Sequence, residues 1–211
     1  SLVGSEMCIR DSKEACPKAI WNCRGVKMRP RLDGLLDDEV WQNLEALELI
    51  GLDDDADAWP TTLVAARDDQ FLYIAIAAAK SPDCEYGDDA GPRERDENLA
   101  KQDRVEISLD IDRDYVIAWR LAVDSRGRVH DSCWGDTAWN PKWYVAASQD
   151  DNAWYVEAAI PWDQLAPQAP APGGAWSATV RRIAPGSGEQ GWAAPAISET
   201  SLENGGWLRF E

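Results

Sequence analysis

Short stretches of alternating apolar and polar residues recur along most of this chain, and turn-forming residues separate them. The clearest are DRVEISLDI at residues 103–111 and WYVEAAIPWDQL at residues 154–165. Successive side chains of a β-strand point to opposite faces of a sheet, so this alternation is typical of strands with one buried and one solvated face. About nine such strands and no long helix are predicted, which indicates an all-β fold. We expect an antiparallel β-sandwich, a two-sheet architecture of the jelly-roll or immunoglobulin-like kind, with one or two short helical turns.

The turn-forming residues set the expected boundaries of these elements. The predicted strands cover residues 61–67, 71–79, 103–111, 115–123, 128–133, 143–148, 153–160, 175–184 and 207–210. Residues 44–50 are a further candidate strand. Helical turns are expected within 37–43 and at 161–165, because acidic residues and proline suit the start of a helix. The polar segment 81–100 and the segment 185–191, PGSGEQG, predict loops.

The chain has 211 residues, a length that suits one β-sandwich domain. Residues 1–12, SLVGSEMCIRDS, resemble a translated sequencing-adapter read-through of the kind that recurs in metagenomic protein sets. We therefore expect them to be a non-native artefact on a metagenomic fragment whose true start is missing. Residues 13–28 are interpreted as a loose lead-in segment, and the domain is expected to span residues 29–211.

The charge balance argues against several classes of partner. The chain has 38 acidic and 21 basic residues, a formal net charge of -17. Such a surface repels phosphate backbones and anionic lipids, so neither nucleic acid nor a membrane is an expected partner. There is no apolar run of about 18 residues that would predict a membrane-spanning helix.

Tryptophan is unusually frequent, with 12 residues against 2 phenylalanines. Core filling alone seldom favours tryptophan, because a buried indole N–H needs a hydrogen-bond partner. Some of the tryptophans are therefore expected to form surface platforms.

Four cysteines remain once residues 1–12 are set aside: Cys16, Cys23, Cys84 and Cys133. They could form two disulfides in an oxidising compartment or stay reduced, and Cys16 and Cys23 are close enough in sequence to pair. Zinc is not expected, because His130 is the only histidine and no Cys-x-x-Cys pair occurs.

Two runs of alternate aspartates offer the hard oxygen ligands that calcium prefers. They are Asp53, Asp55 and Asp57, and Asp110, Asp112 and Asp114. Each run either converges on a calcium ion or forms a solvated charge cluster, and neither has the Gly and distal Glu of a complete calcium loop. No metal site is assigned and no cofactor is expected, with calcium left open.

Three segments in fixed order carry a family resemblance: RLDGLLDDEVW at 31–41, DRVEISLDI and WYVEAAIPWDQL. Together they resemble carbohydrate-binding modules of family 9 and the wider DOMON-like β-sandwich superfamily, over roughly residues 31–211. The opening motif of that family is similar to Asp33, Gly34, Glu39 and Trp41, for which we expect a structural role.

The resemblance also implies a site. Members of the family hold a sugar between two tryptophans, with polar and charged groups fixing its hydroxyls. The segment QGWAAP nominates Trp192 as one of the two, and Glu106 and Arg120 are similar to the polar contacts. Two positions depart from the family, since Ala100 stands where the other tryptophan would be and Ala122 where an asparagine would be. A tryptophan of the neighbouring loop could replace the missing one, or these residues could simply cover the end of the sandwich: Trp134, Trp139 and Trp143.

Catalytic signatures are sparse. Glu106 and Glu157 could pose as the paired carboxylates of a glycosidase, but each lies within an alternating strand, where a structural Glu is more common. No nucleophile elbow, Walker loop or dinucleotide fingerprint occurs.

The leading hypothesis is a non-catalytic carbohydrate-binding module in a larger polysaccharide-processing protein, located outside the cell, in the periplasm or at the cell surface. Its expected partners are a mono- or oligosaccharide, a polysaccharide end, and other domains of the same protein. A structural or interaction β-sandwich that has lost the sugar site is the alternative, and an independent glycoside hydrolase is a third reading.

Overall fold

The computed structural model describes residues 18–51, 59–87, 91, 96–116, 118–193 and 202–211. Within these residues the chain forms thirteen strands, two short α-helices and a 3-10 helix at Leu202–Asn204. The strands are β1 (Ile20–Gly25), β2 (Leu47–Glu48), β3 (Ile50–Gly51), β4 (Thr61–Arg67), β5 (Phe71–Ala79), β6 (Arg104–Asp110), β7 (Trp119–Asp124), β8 (Val129–Cys133), β9 (Tyr144–Gln149), β10 (Ala153–Pro161), β11 (Ala175–Ala184), β12 (Gly188–Trp192) and β13 (Gly206–Phe210). The helices are α1 (Glu39–Gln42) and α2 (Trp162–Leu165).

The strands form one hydrogen-bonded array that curls into the two layers of a β-sandwich. Along the array the order is β8-β7-β6-β11-β13-β1-β4-β5-β10-β9, and β12 extends from β11 to β3. We call β8, β7, β6, β11 and β12 the first layer, and β4, β5, β10 and β9 the second layer. Strands β13 and β1 connect them, and β1 runs parallel to both β13 and β4, whereas the other pairs are antiparallel.

The space between the layers holds the main hydrophobic core. Alternate residues of the central strands supply it, as the sequence pattern predicts: Val105, Ile107 and Leu109 from β6, and Trp154, Val156 and Ile160 from β10. The intervening residues of these strands therefore lie on the outer faces of the sandwich. This alternation determines on which side each candidate site residue within a strand lies.

A buried ion pair links the layers through the core. Arg182 of β11 is fully buried, and its guanidinium forms a bidentate ion pair with Asp103, with Nε 2.8 Å from Oδ1. Trp154 Nε1 and the Tyr86 hydroxyl donate to the same carboxylate at 2.9 and 2.6 Å. Arg182 also donates to Thr61 Oγ1 at 2.8 Å. Because each charged group keeps several hydrogen-bond partners, the cost of desolvating the pair is offset.

The predicted fold class is confirmed, and several boundaries agree with the prediction, including those of β4, β5 and β11. Two strands were missed. The expected lead-in contains β1, and the expected loop 185–191 contains most of β12. Neither segment alternates clearly in sequence, because β1 has the apolar Ile20 at an exposed position beside the buried Trp21, and β12 includes two glycines.

The predicted start of the strand at 115 is wrong, because β7 begins only at Trp119. Asp110 accepts the backbone N–H groups of Arg113 and Tyr115 at 2.8 Å each, which bends the chain into a loop, and Tyr115 has a φ of 60°. Ile117 lies outside the described residues.

Cys23 is a free thiol that lies fully buried in the core, and burial raises its pKa. The predicted pairing of Cys23 with Cys16 stays a prediction, because Cys16 lies outside the described residues. Cys84 and Cys133 are also free. Neither helix within the described residues is long or apolar enough to cross a membrane.

Candidate functional site

A groove of about 420 Å³ lies on the outer face of the first layer, where β6, β7 and β8 lie side by side. The strand register places Glu106 beside Ala122 and Ala122 beside His130, in a row across the three strands. The loop before β6 forms the remaining wall. The groove is lined by Asp96, Asn98, Leu99, Ala100, Arg104, Glu106, Arg120, Ala122, His130 and Ser132.

The carboxylate of Glu106 is already paired within the groove. Arg104, two residues earlier on the same face of β6, donates from Nε to Oε1 of Glu106 at 2.8 Å. Arg104 also donates from Nη1 to the carbonyl of Leu99 at 3.2 Å, which joins the preceding loop to the strand. Glu106 therefore offers its second oxygen as an acceptor while its charge is balanced by Arg104.

Arg120 is the exposed cation of the groove. It lies between Ser108 and Ser132 in the register of the three strands. Its guanidinium makes no hydrogen bond or ion pair with any residue in the described part of the chain. The Nδ1 atom of His130 is buried and likewise has no partner among the described residues. The groove thus presents the Arg120 guanidinium to a ligand, whereas the Nδ1 atom of His130 is shielded from solvent.

The two positions that depart from the family pattern both lie in this groove, since Ala100 and Ala122 line it together with Glu106 and Arg120. Four positions identified from sequence therefore meet in one place. Methyl groups at two of them leave space and remove the polar or aromatic contacts that larger side chains would supply there.

Trp192 lies on the other side of the first layer. It is paired with Val180, a core residue of β11, so its side chain is on the core side rather than the groove side of the layer. Its indole packs edge-on against the buried Trp21, with ring centroids 6.2 Å apart, and rests on Gly206 of β13, where a Cβ atom would collide with it. The structure does not bring Trp192 together with Glu106 and Arg120, and its role in sugar stacking stays a prediction.

The three loop tryptophans have different environments. Trp139 packs against Trp119 with ring centroids 4.8 Å apart, and Trp143 donates from Nε1 to Asp131 at 3.2 Å. Both are partly buried against the core. Trp134, in contrast, is 74% exposed. Of the three, only Trp134 presents most of its surface to solvent.

Trp134 and Gly135 form a two-residue turn immediately after β8. The backbone groups of Cys133 and Asp136 exchange hydrogen bonds of 3.0 and 2.8 Å across it. Trp134 has a φ of 51° and Gly135 a φ of 78°, the positive pair of a type I′ turn. A bulky residue rarely adopts positive φ, so the turn holds an exposed indole at a cost in backbone energy.

The turn continues the strand register of the groove. The Trp134 N–H donates to the carbonyl of Ala118 at 3.0 Å, two residues beyond the pairing of Arg120 with Ser132. Two residues along a strand span roughly 7 Å, so the backbone of Trp134 lies about that far from the Ser132 position. The exposure of Trp134 cannot be read from the sequence. The dipeptide Trp-Gly, which here forms a tight turn, is the sequence signal that could have identified it.

The two glutamates considered as a hydrolytic pair lie on opposite outer faces of the sandwich. Glu157 is in β10 of the second layer and is buried beneath the segment that contains α1. Its Oε2 atom accepts from the N–H groups of Asp33 and Gly34 at 2.9 and 2.8 Å, and its Oε1 atom accepts from Trp41 Nε1 at 2.8 Å. Burial raises the pKa of Glu157, and these donors oppose the rise. Glu106 and Glu157 therefore do not share a cleft.

One of the two aspartate runs begins at Asp110, the last residue of β6. The carboxylate oxygens of Asp110, Asp112 and Asp114 lie within 4.8 Å of one another. Burial raises the pKa of Asp110, opposed by the turn N–H groups that it accepts. Each residue has a role in the turn or is exposed, so the cluster alone does not define a metal site. The run Asp53, Asp55 and Asp57 lies outside the described residues.

The fold is similar to solved carbohydrate-binding proteins. A carbohydrate-binding module of family 9 from Caldicellulosiruptor kristjanssonii, solved in complex with cellotriose, is 16% identical, with a TM-score of 0.67 over 92% of this chain and 94% of that chain. A module of that family and organism in complex with glucose is 16% identical, with a TM-score of 0.64 over 90% and 95%. A proposed carbohydrate-binding protein from Bacteroides uniformis is 12% identical, with a TM-score of 0.66 over 92% and 100%.

No protein-family model matches the sequence, and no curated protein matches it. At these identities the structural likeness establishes the fold, which agrees with the family-9-like architecture expected from the three sequence segments.

Proposed function

We propose that this protein binds carbohydrate in the groove of β6, β7 and β8, as a non-catalytic binding module. The observation that carries the proposal is the meeting of Glu106 and Arg120 in one groove, beside two positions that the family resemblance also identified. The structural neighbours, solved with cellotriose and glucose, support carbohydrate as the ligand class.

Each groove residue has a role in this proposal that follows from its chemistry. Arg120 donates to sugar hydroxyls, and the second oxygen of Glu106 accepts from one while Arg104 holds the side chain in position. His130 and Ser132 supply further polar contacts at the wall. Because hydroxyl groups need both donors and acceptors, the mixture suits a sugar better than an apolar ligand.

Tryptophan stacking enters the proposal through Trp134. An exposed indole can lie against the C–H face of a pyranose, and stacking contacts of this kind contribute about 1 kcal/mol or more. Trp134 is exposed and lies two residues beyond Ser132, the strand partner of Arg120, whereas the other candidate tryptophans, Trp139, Trp143 and Trp192, pack against other tryptophans or the core. Trp192 remains a second candidate, at a site separate from the groove.

The function is tested by calorimetric titration of the protein with glucose and with cellotriose. We expect saturable binding that weakens about tenfold or more in Arg120→Ala and in Glu106→Gln, because each loses a hydrogen bond to the sugar. Trp134→Ala is expected to weaken binding by a similar factor, and Trp192→Ala to change it little. Arg31→Ala, an exposed arginine remote from the groove, is the matched control and should bind as the wild type does.

Two results would redirect the proposal. Binding that survives all three groove substitutions but is lost in Trp192→Ala would move the site to β12. If no sugar tested binds, the alternative is favoured: a structural or interaction β-sandwich that has lost its sugar site. The alanines at positions 100 and 122, which depart from the family pattern, support this alternative.

The proposal also extends to context. A binding module of this kind serves a larger polysaccharide-processing protein, in which other domains carry the chemistry, and it acts outside the cell, in the periplasm or at the cell surface. The charge of -17 is compatible with a neutral or weakly charged partner.

A further inference from the structure

The charges in the groove do not cancel around Arg120. Arg104 balances Glu106 by a direct ion pair. The other carboxylate of the groove, Asp96, accepts the backbone N–H of Asp131 at 3.4 Å and makes no ion pair with Arg120. Arg120 therefore presents a guanidinium that no described carboxylate contacts.

This situation contrasts with that of other arginines in the chain. Arginines 29, 126, 181 and 182 each contact a carboxylate within hydrogen-bonding distance. Arg120 differs from these four in that no carboxylate contacts it among the described residues, although it lies in a groove that contains Glu106 and Asp96. The position is one where a carboxylate from outside the chain fits.

The geometry of the strands keeps the Arg120 position apart from the acidic group of β6. Glu106 is opposite Ala122, and Arg120 is opposite Ser108, so Glu106 and Arg120 are diagonal neighbours. Diagonal pairs are about 7–8 Å apart at Cα. A ligand carboxylate at Arg120 would therefore lie away from Glu106, whose charge Arg104 already balances.

We infer that the groove selects a carbohydrate that carries a carboxylate, a uronic acid, over its neutral counterpart. This inference rests on the proposed function and specifies its substrate class. A guanidinium forms two parallel N–H···O bonds with a carboxylate, whereas a hydroxyl group accepts from only one of these donors well. Ser132, which lines the groove opposite Arg120 on the neighbouring strand, offers a hydroxyl group as a further polar contact for the ring.

The test compares two ligands that differ only at C6: glucose and glucuronate, and at trisaccharide length cellotriose and C6-oxidised cellotriose. Affinities are measured by calorimetry at low and at 0.5 M salt, with wild type, Arg120→Gln, Arg120→Lys and the control Arg31→Gln. We expect the carboxylated ligand to bind about tenfold tighter at low salt, and this ratio to shrink at high salt because ion pairing is screened.

The variants separate charge from geometry. Arg120→Gln should reduce the ratio to about one, Arg120→Lys should retain part of it because the charge remains but the paired donors do not, and Arg31→Gln should leave it unchanged. Thermal unfolding of each variant, expected near that of the wild type for an exposed residue, confirms that the comparison is made on folded protein.

The outcomes distinguish the inference from the function on which it rests. Equal binding of both ligands, or preference for the neutral one, overturns the inference and leaves the carbohydrate-binding function standing. A preference that persists in Arg120→Gln also overturns it, because the carboxylate is then recognised elsewhere. Absence of binding to every saccharide removes both.

Discussion

Glu157 holds the segment before α1 against the second layer. Its two oxygens accept three N–H groups, from Asp33, Gly34 and Trp41. Gly34 has a φ of 83°, and a Cβ atom at this position would come within 2.8 Å of the Ala147 backbone. The opening motif of the family resemblance therefore has the structural role that we expected. Gly34 fits closely against β9, and the indole N–H of Trp41 donates to the buried Glu157.

The substitution Glu157→Gln is expected to lower the free energy of unfolding by about 2–4 kcal/mol. A carboxamide replaces one acceptor oxygen with a donor, which leaves at least one buried N–H without a partner. Urea denaturation measures the effect. Glu211→Gln, which removes a carboxylate from the exposed pair with Arg209, should cost less than about 1 kcal/mol. Equal losses in the two variants would contradict the anchoring role.

At the scale of elements, the turn between β4 and β5 is organised by Asp68. Burial acts to raise the pKa of Asp68, but the N–H groups of Gln70 and Phe71, the Tyr73 hydroxyl and Arg29 together hold it below its ordinary value. The distances are 2.7 Å for both N–H groups, 2.9 Å for the hydroxyl and 2.8 Å for Arg29 Nε. The ionised carboxylate is therefore part of the folded hairpin.

The direction of this pKa shift predicts how stability depends on pH. Because the folded-state pKa is lower than the unfolded one, about 3.9 for Asp, the contribution of Asp68 is present above that value and is lost as pH falls through the folded-state pKa. We expect Asp68→Asn to flatten the fall of the unfolding free energy below about pH 4, relative to wild type. Denaturation curves of the variant and the wild type recorded between pH 2 and 7 measure the difference in slope.

The turn of Trp134 and Gly135 predicts an opposition between stability and binding. Asn-Gly is the favoured dipeptide of a type I′ turn, so Trp134→Asn relieves the strain at positive φ. We expect the unfolding free energy to rise by about 0.5–1.5 kcal/mol while sugar affinity falls. Chemical denaturation and calorimetry measure the two effects on one variant. A variant that is less stable, with unchanged affinity, would show that the indole serves packing instead.

At the scale of the whole molecule, β1 joins the two layers. It pairs in parallel with β13 on one side and β4 on the other, and it places Trp21 and Cys23 in the core. The groove lies on the outer face of the first layer. The α1 segment covers the outer face of the second layer, so the two faces differ in what they present to solvent.

Removal of β1 is expected to abolish cooperative folding. A chain beginning at residue 29, the domain start expected from sequence, leaves β13 and β4 without their shared neighbour. It also deletes the fully buried Trp21, a loss that alone costs about 3–5 kcal/mol. A chain beginning at residue 18 should unfold in one transition by circular dichroism. A sharp transition in the shorter chain would show that the layers hold together without β1.

The sequence alone could predict those features that depend on local pattern. Alternation identified β4, β5 and β11 with the boundaries observed, because each has one face on the core and one outside. It could not identify β1, where the apolar Ile20 stands at an exposed position beside the buried Trp21 and so obscures the alternation, nor the buried pair of Arg182 and Asp103, whose partners are 79 residues apart.

For the candidate site, the resemblance nominated Glu106 and Arg120 and pointed to the alanines at 100 and 122, and the structure places all four beside one groove. Their role in binding stays a prediction. Only the tertiary structure decided which side of the sheet each tryptophan occupies. The register of β11 and β12 places Trp192 toward the core, and the turn after β8 exposes Trp134. Strand register depends on hydrogen bonds between distant segments, and a shift of one residue reverses the face of every side chain, so no property of the tryptophans' own neighbours in sequence could settle it.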